Sequence, residues 1–143
     1  MTFGCAILIA ACASIASPSL PTDSPTPAGS DMVVQLRALE APVLRNVKAA
    51  SSALTTGNQT TAAEALELIG RNGRAILEWL AAHPDFVKAN RATTDCLEET
   101  MKDLGEQAES VGPALRAGTA TEAQLRKLRN DLGETANCIQ ASE

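Results

Sequence analysis

Apolar residues recur every three or four positions along most of the chain, the spacing that is typical of one face of an α-helix. The first of these apolar stripes predicts a helix over about residues 31–56, in which Pro42 is expected to kink or break the helix. The second predicts a helix over about 62–83, opened by a capping box of Thr61 and Glu64. The two stripes consist of Met32, Leu36, Leu39, Val43, Val47, Ala50 and Leu54, and of Ala62, Leu66, Ile69, Gly73, Ile76 and Leu80.

The second half of the chain repeats this arrangement. A stripe over about residues 85–115 predicts a third helix, which Gly118 ends. Thr119 and Glu122 form a second predicted capping box and open a fourth helix over about 120–142. The stripes consist of Leu97, Met101, Leu104, Ala108, Val111 and Leu115, and of Thr121, Leu125, Leu128, Leu132, Ala136 and Ile139.

The stripes of each helix pair match in one antiparallel register, because opposed positions in a hairpin share a constant sum of residue numbers. Leu54 with Ala62, and Leu36 with Leu80, give 116 for the first pair, and Leu97 with Ile139 gives 236 for the second. Each hairpin alone would leave half of its apolar surface uncovered. The sequence therefore predicts an all-α fold: a four-helix up-down-up-down bundle made of two antiparallel αα-hairpins.

The same register brings two cysteines level with each other. Cys96 and Cys138 each lie 21 residues from Ala117, in the predicted turn of the second hairpin. We expect a disulfide there that cross-links this hairpin. The alternative is a redox-active pair, but such pairs usually lie close together in sequence at a helix N-terminus.

The N-terminal residues predict export. The apolar run from Phe3 to Ala13 is too short to span a bilayer as a helix, which takes about 20 residues. Its end, Ile9-Ala10-Ala11-Cys12, resembles the lipobox of bacterial lipoproteins. That resemblance implies an export signal over residues 1–12, lipidation of Cys12 and, with Ala13 next, anchoring in the outer membrane facing the periplasm. The alternative is a secreted protein whose signal peptide is cut after Ala13 or Ala16.

Residues 13–30 are predicted to be a disordered tether between this anchor and the folded body. They contain four prolines and many serines and threonines, which favour neither helix nor strand and cannot build a core. The helical body is predicted to cover residues 31–143.

The charge of the chain argues against one class of partner. It carries 12 Lys and Arg against 17 Asp and Glu, a net charge of −5. Nonspecific nucleic-acid binding needs clustered basic side chains, so no nucleic-acid partner is predicted.

Few residues carry candidate chemistry. His83, the only histidine, is predicted to lie beside Met32, and such a pair could hold haem or Cu(I) at one end of the bundle. The alternative is that His83 only closes its helix and Met32 only fills the core. Trp79 is expected either to connect the two hairpins or to anchor a partner, and Phe86 could share either role.

The acidic residues of the third helix are predicted to form a solvated face. Asp95, Glu99 and Asp103 lie four residues apart and could instead chelate a cation, although the Glu-x-x-His partners of di-metal bundles are absent from the sequence. No phosphate-binding glycine loop, zinc spacing or nucleophile–base pair stands out.

Two functions follow from these patterns. The first is a non-enzymatic, exported and lipid-anchored helical bundle, without cofactor, that binds another envelope protein or has a structural role in the envelope. The second is a periplasmic four-helix bundle that binds a small ligand, haem or a metal.

Overall fold

The computed structural model describes residues 29–142, and within this range the chain forms six α-helices and no β-strand. The predicted all-α class is confirmed. The predicted export signal, the lipidation site Cys12 and the tether up to residue 28 lie outside the described residues. The helices are α1 (Gly29–Thr55), α2 (Gln59–Ala82), α3 (Pro84–Ala89), α4 (Arg91–Ser110), α5 (Gly112–Ala117) and α6 (Glu122–Ala141).

Pro42 does not break α1. The helix is continuous from Gly29 to Thr55. Proline has no N–H, so the carbonyl of Ala38 loses its partner one turn earlier. Ala38 is exposed, where water can bond to that carbonyl. The side-chain amide of Asn46 donates a hydrogen bond of 2.9 Å to the Pro42 carbonyl itself.

The start of α2 differs from the prediction. The helix begins at Gln59, and the side chain of Asn58 accepts a hydrogen bond of 3.1 Å from the backbone N–H of Thr61. The expected capping box of Thr61 with Glu64 is therefore wrong. Gly57, at φ 73°, turns the chain after α1 and leaves Asn58 at the first position that can cap the new helix.

The single helix predicted over 85–115 is divided into α3, α4 and α5 by breaks at Asn90 and Val111. At the first break, the Asn90 side chain donates to the carbonyl of Phe86, offering the backbone an alternative to continued helix. At the second break, Pro113 cannot donate to the carbonyl of Glu109 and its ring would clash with it.

The start of α6 also differs from the prediction. Thr121 is the N-cap and forms a capping box with Gln124, with backbone-to-side-chain distances of 3.2 and 2.8 Å. The predicted box of Thr119 with Glu122 is therefore wrong. The backbone N–H of Thr119 instead donates to the carbonyl of Ala114 at the end of α5. Thr119 thus closes the turn that follows α5 and does not open α6.

The helices pack around α2, which contacts α1, α3, α4 and α5, while α6 contacts α4 and α1. Most residues of the four predicted stripes are buried, although Met32, Leu39, Ala108, Leu125 and Ala136 are only half-buried and Thr121 is exposed. The largest side chains with almost no exposure are Leu66, Ile69, Ile76, Leu97, Leu104, Leu115, Leu128 and Leu132. Every helix among the described residues is too short or too polar to cross a membrane.

Helices α2 and α4 run antiparallel and in close contact. A Cβ atom built on Gly70 would lie 3.3 Å from the Cβ of Ala108, and one built on Gly73 would lie 3.1 Å from Sδ of Met101. Residue numbers therefore rise along α2 as they fall along α4. Both glycines are buried, so the absence of their side chains sets how near the two helices approach.

Helices α4 and α6 are joined by polar contacts as well as by the core. The amide of Gln107, which is buried on α4, donates to the carboxylate of Asp131 on α6. The same carboxylate oxygen accepts a hydrogen bond of 2.6 Å from the ammonium group of Lys127. This bond raises the pKa of Lys127 above its ordinary value.

Candidate functional site

The most distinctive cluster of side chains joins Trp79, His83 and Phe86, at the end of α2 and the start of α3. The rings of Trp79 and His83 stack with their centroids 4.2 Å apart and their planes at 25°. Phe86 meets Trp79 edge-on, with centroids 5.1 Å apart and planes at 79°. All three side chains are half-buried. We call this group the aromatic cluster.

A hydrogen bond fixes the orientation of the His83 ring. Its Nδ1 atom lies 2.7 Å from the main-chain carbonyl oxygen of Trp79. A carbonyl oxygen can only accept, so Nδ1 carries the proton and, in the neutral ring, Nε2 is the acceptor. The ring therefore has a defined tautomer, with Nε2 as the nitrogen that could bind a metal ion.

Trp79 also connects the aromatic cluster to α1. Its indole Nε1–H donates a hydrogen bond of 3.3 Å to Oε1 of Gln35, in the second turn of α1. Met32 lies one turn before Gln35 and is half-buried. The structure thus joins His83 with Trp79 and Phe86, while the pairing of His83 with Met32 stays a prediction.

A buried carboxylate lies close to the aromatic cluster, and the sequence pattern did not single it out. Glu40 of α1 is only 2% exposed. It lines a small cleft of about 110 Å³ together with Phe86, Thr94 and Ser142. Glu40 lies four residues after Leu36 and three before Val43, so it occupies the core-facing side of α1. That spacing was the signal that could have identified it.

The disulfide between Cys96 and Cys138 is present, as predicted, with the two Cα atoms 5.9 Å apart. It joins the first half of α4 to the last turns of α6. Cys138 is buried and Cys96 is half-buried. The cross-link thus lies at the same end of the molecule as the cleft that contains Ser142.

The acidic side chains of α4 are divided between two environments. Asp95 lies 3.9 Å from Arg91 and is 63% exposed, so it belongs to the solvated face. Glu99 and Asp103 instead line an open depression of about 440 Å³ beside the disulfide, together with Glu134 of α6. Within residues 29–142, no group of three or more His, Cys, Asp and Glu side chains is arranged to hold a metal ion.

Comparison of the chain with protein families, with curated proteins and with solved structures finds no match.

Proposed function

We propose that this chain is a non-enzymatic protein of the bacterial cell envelope that binds another envelope protein through the end of the molecule that carries the aromatic cluster. In this proposal the chain is exported, lipidated at Cys12 and anchored in the outer membrane facing the periplasm. Residues 13–28 then form the tether between the lipid and the helical body, because Gly29 and Ser30, which the sequence assigned to the tether, belong to α1.

We further propose that the body is an up-down-up-down four-helix bundle of α1, α2, α4 and α6, with α3 and α5 as short additions at the two breaks. The pattern of neighbours supports this arrangement, since α1 contacts α2, α2 contacts α4, α4 contacts α6 and α6 contacts α1. The antiparallel contact of α2 with α4 agrees with it as well. A bundle of this kind is a rigid support for residues at its ends.

The observation that carries the proposed binding role is the aromatic cluster itself. The chain has only three aromatic residues besides its one histidine. Trp79 and Phe86 are two of them. Trp79 contacts both His83 and Phe86, and all three side chains are half-buried. Rigid aromatic side chains that keep exposed surface are enriched among the residues that dominate binding energy at protein interfaces.

The position of the aromatic cluster suggests where the partner lies. Gln35, which bonds to Trp79, is six residues after Gly29, so the start of α1 is about 9 Å away along the helix axis. The proposed tether therefore joins the body at the end that carries the aromatic cluster. Its Ser/Pro-rich residues 13–28 would span about 50 Å as an extended polyproline II chain. A partner at this end would lie on the membrane side of the body.

Site-specific crosslinking in native cells tests this proposal. A photoreactive amino acid replacing Phe86 is expected to give one discrete adduct with an envelope protein. The same amino acid replacing Asn130, an exposed residue of α6, is the control and is expected to give none. Absence of an adduct at position 86, or equal adducts at both positions, would contradict binding through the aromatic cluster.

The proposed anchor has its own test. Cys12→Ser is expected to release the protein from the membrane fraction while its helical circular dichroism spectrum stays the same, because a single lipid-modified residue holds the chain there. Unchanged membrane fractionation would contradict the anchor. A mature N-terminus at Ser14 or Ser17 would instead indicate an ordinary secreted protein.

A second candidate function, binding of haem or a metal, is favoured by the tautomer of His83. Its Nδ1–H is held by the Trp79 carbonyl, so Nε2 is the nitrogen that would hold a haem iron or another metal ion. The absorbance spectrum of protein purified from its native host separates the two functions. A Soret band that His83→Ala abolishes would support this second function, and its absence would leave the interaction role.

A further inference from the structure

The disulfide between Cys96 and Cys138 is not enclosed in the core. Both cysteines line the open depression of about 440 Å³ between α4 and α6, which has room for a small thiol. Cys96 is half-buried, whereas Cys138 is only 5% exposed. Cys96 is therefore the more accessible of the two residues. We call this surface the disulfide depression.

Three carboxylates line the disulfide depression together with the cysteines. Glu99 lies three residues after Cys96 on α4, and Asp103 lies four residues further on. Glu134 lies four residues before Cys138 on α6. All three carboxylates are exposed, and none of them forms an ion pair within residues 29–142. The other residues that line the depression are uncharged: Thr100, Asn137 and Ala141.

The basic side chain next to these carboxylates is bonded to a different acid. Lys127 of α6 donates a hydrogen bond of 2.6 Å to Asp131, which does not line the depression. This bond raises the pKa of Lys127, and the charges of Asp103 and Glu134 do so more weakly. Lys127 lies eleven residues before Cys138, about 16 Å along the helix axis. The disulfide thus faces a surplus of negative charge.

The charges that precede Cys96 on α4 do not alter this surplus. Arg91 and Asp95 lie 3.9 Å apart, and neither residue lines the depression. The pair therefore adds no net charge beside the disulfide.

A disulfide is opened by thiol–disulfide exchange, in which the nucleophile is a thiolate. The incoming sulfur forms a bond with Sγ of Cys96, and the bond between Cys96 and Cys138 breaks. Its electron pair leaves on Sγ of Cys138, which takes a proton from water. The incoming thiol and Cys96 become a mixed disulfide, and Cys138 is reduced. Because a thiolate is negative, nearby carboxylates repel it unless the thiol also carries a positive group.

We propose that Cys96 is a site of thiol–disulfide exchange that is selective for small thiols with a positive group beside the sulfur. The accessibility of Cys96 determines where the exchange takes place. The carboxylates of Glu99, Asp103 and Glu134 determine which thiols react, because they repel anionic thiols. The exchange does not involve the aromatic cluster, so it does not depend on the proposed partner binding.

Exchange kinetics of the purified full chain test this proposal. The chain carries Cys5→Ser and Cys12→Ser, so that the disulfide contains its only cysteines. The three thiols are cysteamine, β-mercaptoethanol and mercaptoethanesulfonate, in which the group beside the sulfur is positive, neutral and negative. Alkylation of the released thiols gives the rate for each thiol at low salt.

The same rates are measured for the variant Glu99→Gln/Asp103→Asn/Glu134→Gln, so that the intrinsic reactivity of each thiol cancels. This variant is expected to accelerate mercaptoethanesulfonate at least about tenfold more than cysteamine, with β-mercaptoethanol between them. The difference between the thiols is expected to decrease from about 10 mM to 1 M salt, because exposed charges are screened.

Peptide mass mapping of the first product identifies the sulfur that is attacked. The added thiol is expected on Cys96 and the alkylating group on Cys138. The reverse distribution would overturn the assignment of Cys96 as the exchange site. Free thiols in the protein before any thiol is added would overturn it as well.

A matched control removes three carboxylates elsewhere on the surface. Glu64→Gln/Glu78→Gln/Glu109→Gln makes the same change in net charge at exposed positions that do not line the disulfide depression, and is expected to leave the selectivity unchanged. Since all six substituted residues are exposed, both triple variants are expected to fold, which circular dichroism checks.

Three kinetic results would overturn the selectivity. The first is a wild-type preference among the thiols that neutralising the depression leaves unchanged. The second is an equal change in the control variant, and the third is a preference that salt does not reduce. Crosslinking at Phe86 is scored independently, so failure of this proposal and failure of the proposed partner binding are distinguishable.

Discussion

The hydroxyl group of Ser142 lies 3.2 and 3.3 Å from the two carboxylate oxygens of Glu40, a residue 102 positions earlier in the chain. The same hydroxyl is 2.6 Å from the carbonyl of Ile139, in the last turn of α6. Glu40 is 2% exposed, so the end of α6 covers an acidic side chain of α1. This contact joins the first helix of the described chain to the last.

Removal of the Glu40 side chain is expected to destabilise the protein. Glu40→Ala leaves Ser142 without its carboxylate partner and opens space in the core, so we expect a loss of about 1–3 kcal/mol. Ser142→Ala is expected to cost less, about 0.5–1.5 kcal/mol, because the site is partly open to water. Urea unfolding measures both values. Equal stability of Glu40→Ala and the wild type would show that the buried carboxylate contributes nothing.

Loss of the Cys96–Cys138 disulfide is expected to lower the melting temperature. The bond closes a loop across a sequence separation of 42 residues, and constraint of such a loop in the unfolded chain contributes about 4 kcal/mol in the entropy model. Hydrogen exchange with reductant is expected to rise first in the early turns of α4 and the last turns of α6, and less in α1 and α2.

The double variant Cys96→Ser/Cys138→Ser is the control for this measurement, because reductant should leave its exchange unchanged. Equal protection of the wild type with and without reductant, or free thiols in the native protein, would contradict the stabilising role of the disulfide.

The capping residues can be tested in matched pairs. Asn58→Ala and Thr121→Ala each remove a side chain that accepts a helix N–H, so each is expected to cost about 1 kcal/mol. Thr61→Ala and Thr119→Ala alter residues whose side chains accept no helix N–H, and are expected to change stability by less than about 0.5 kcal/mol. Thermal unfolding compares the four variants. If Thr61→Ala and Thr119→Ala instead cost more stability than Asn58→Ala and Thr121→Ala, the capping boxes predicted from the sequence would be the correct ones.

The helical glycines are expected to respond differently to alanine. A Cβ atom at Gly105 or Gly133 meets nothing within 4 Å, so Gly105→Ala and Gly133→Ala are each expected to stabilise the fold by about 0.5–1 kcal/mol. Gly70→Ala is expected to be less stable than either, because its Cβ would lie 3.3 Å from that of Ala108, which cannot rotate away. Chemical denaturation gives the comparison. If Gly70→Ala is as stable as Gly133→Ala, the contact between α2 and α4 is looser than described.

The long-range features that followed from helix periodicity were predictable. The apolar stripes predicted which side chains form most of the core. The register of the second hairpin placed Cys96 beside Cys138, because one index sum aligned the flanking residues Leu97 and Ile139. Because the periodicity extends along a whole helix, it predicts the buried face even where the predicted ends of the helix are wrong.

The local features were harder to predict, because several residues compete for each role. Asn58 and Thr61 are both suitable caps, as are Thr119 and Thr121, and the choice depends on where the preceding turn ends. Glu40 was missed because only apolar residues were counted on its face. His83 stacks on Trp79 because it lies four residues later, as the residue that caps the C-terminus of α2, whereas the contact with Phe86 depends on the turn between α2 and α3.

The disulfide also determines what a single proteolytic cut can do to this molecule. The link from α5 to α6 runs through Gly118 and Thr119, which are exposed, in the loop that the bond between Cys96 and Cys138 closes. Exposed loop tips of this kind are the preferred sites of nicking. A cut there would leave two fragments that remain covalently attached, one ending in α5 and the other consisting of α6. In an oxidising compartment, the nicked chain would therefore keep α6 and its contact with Glu40.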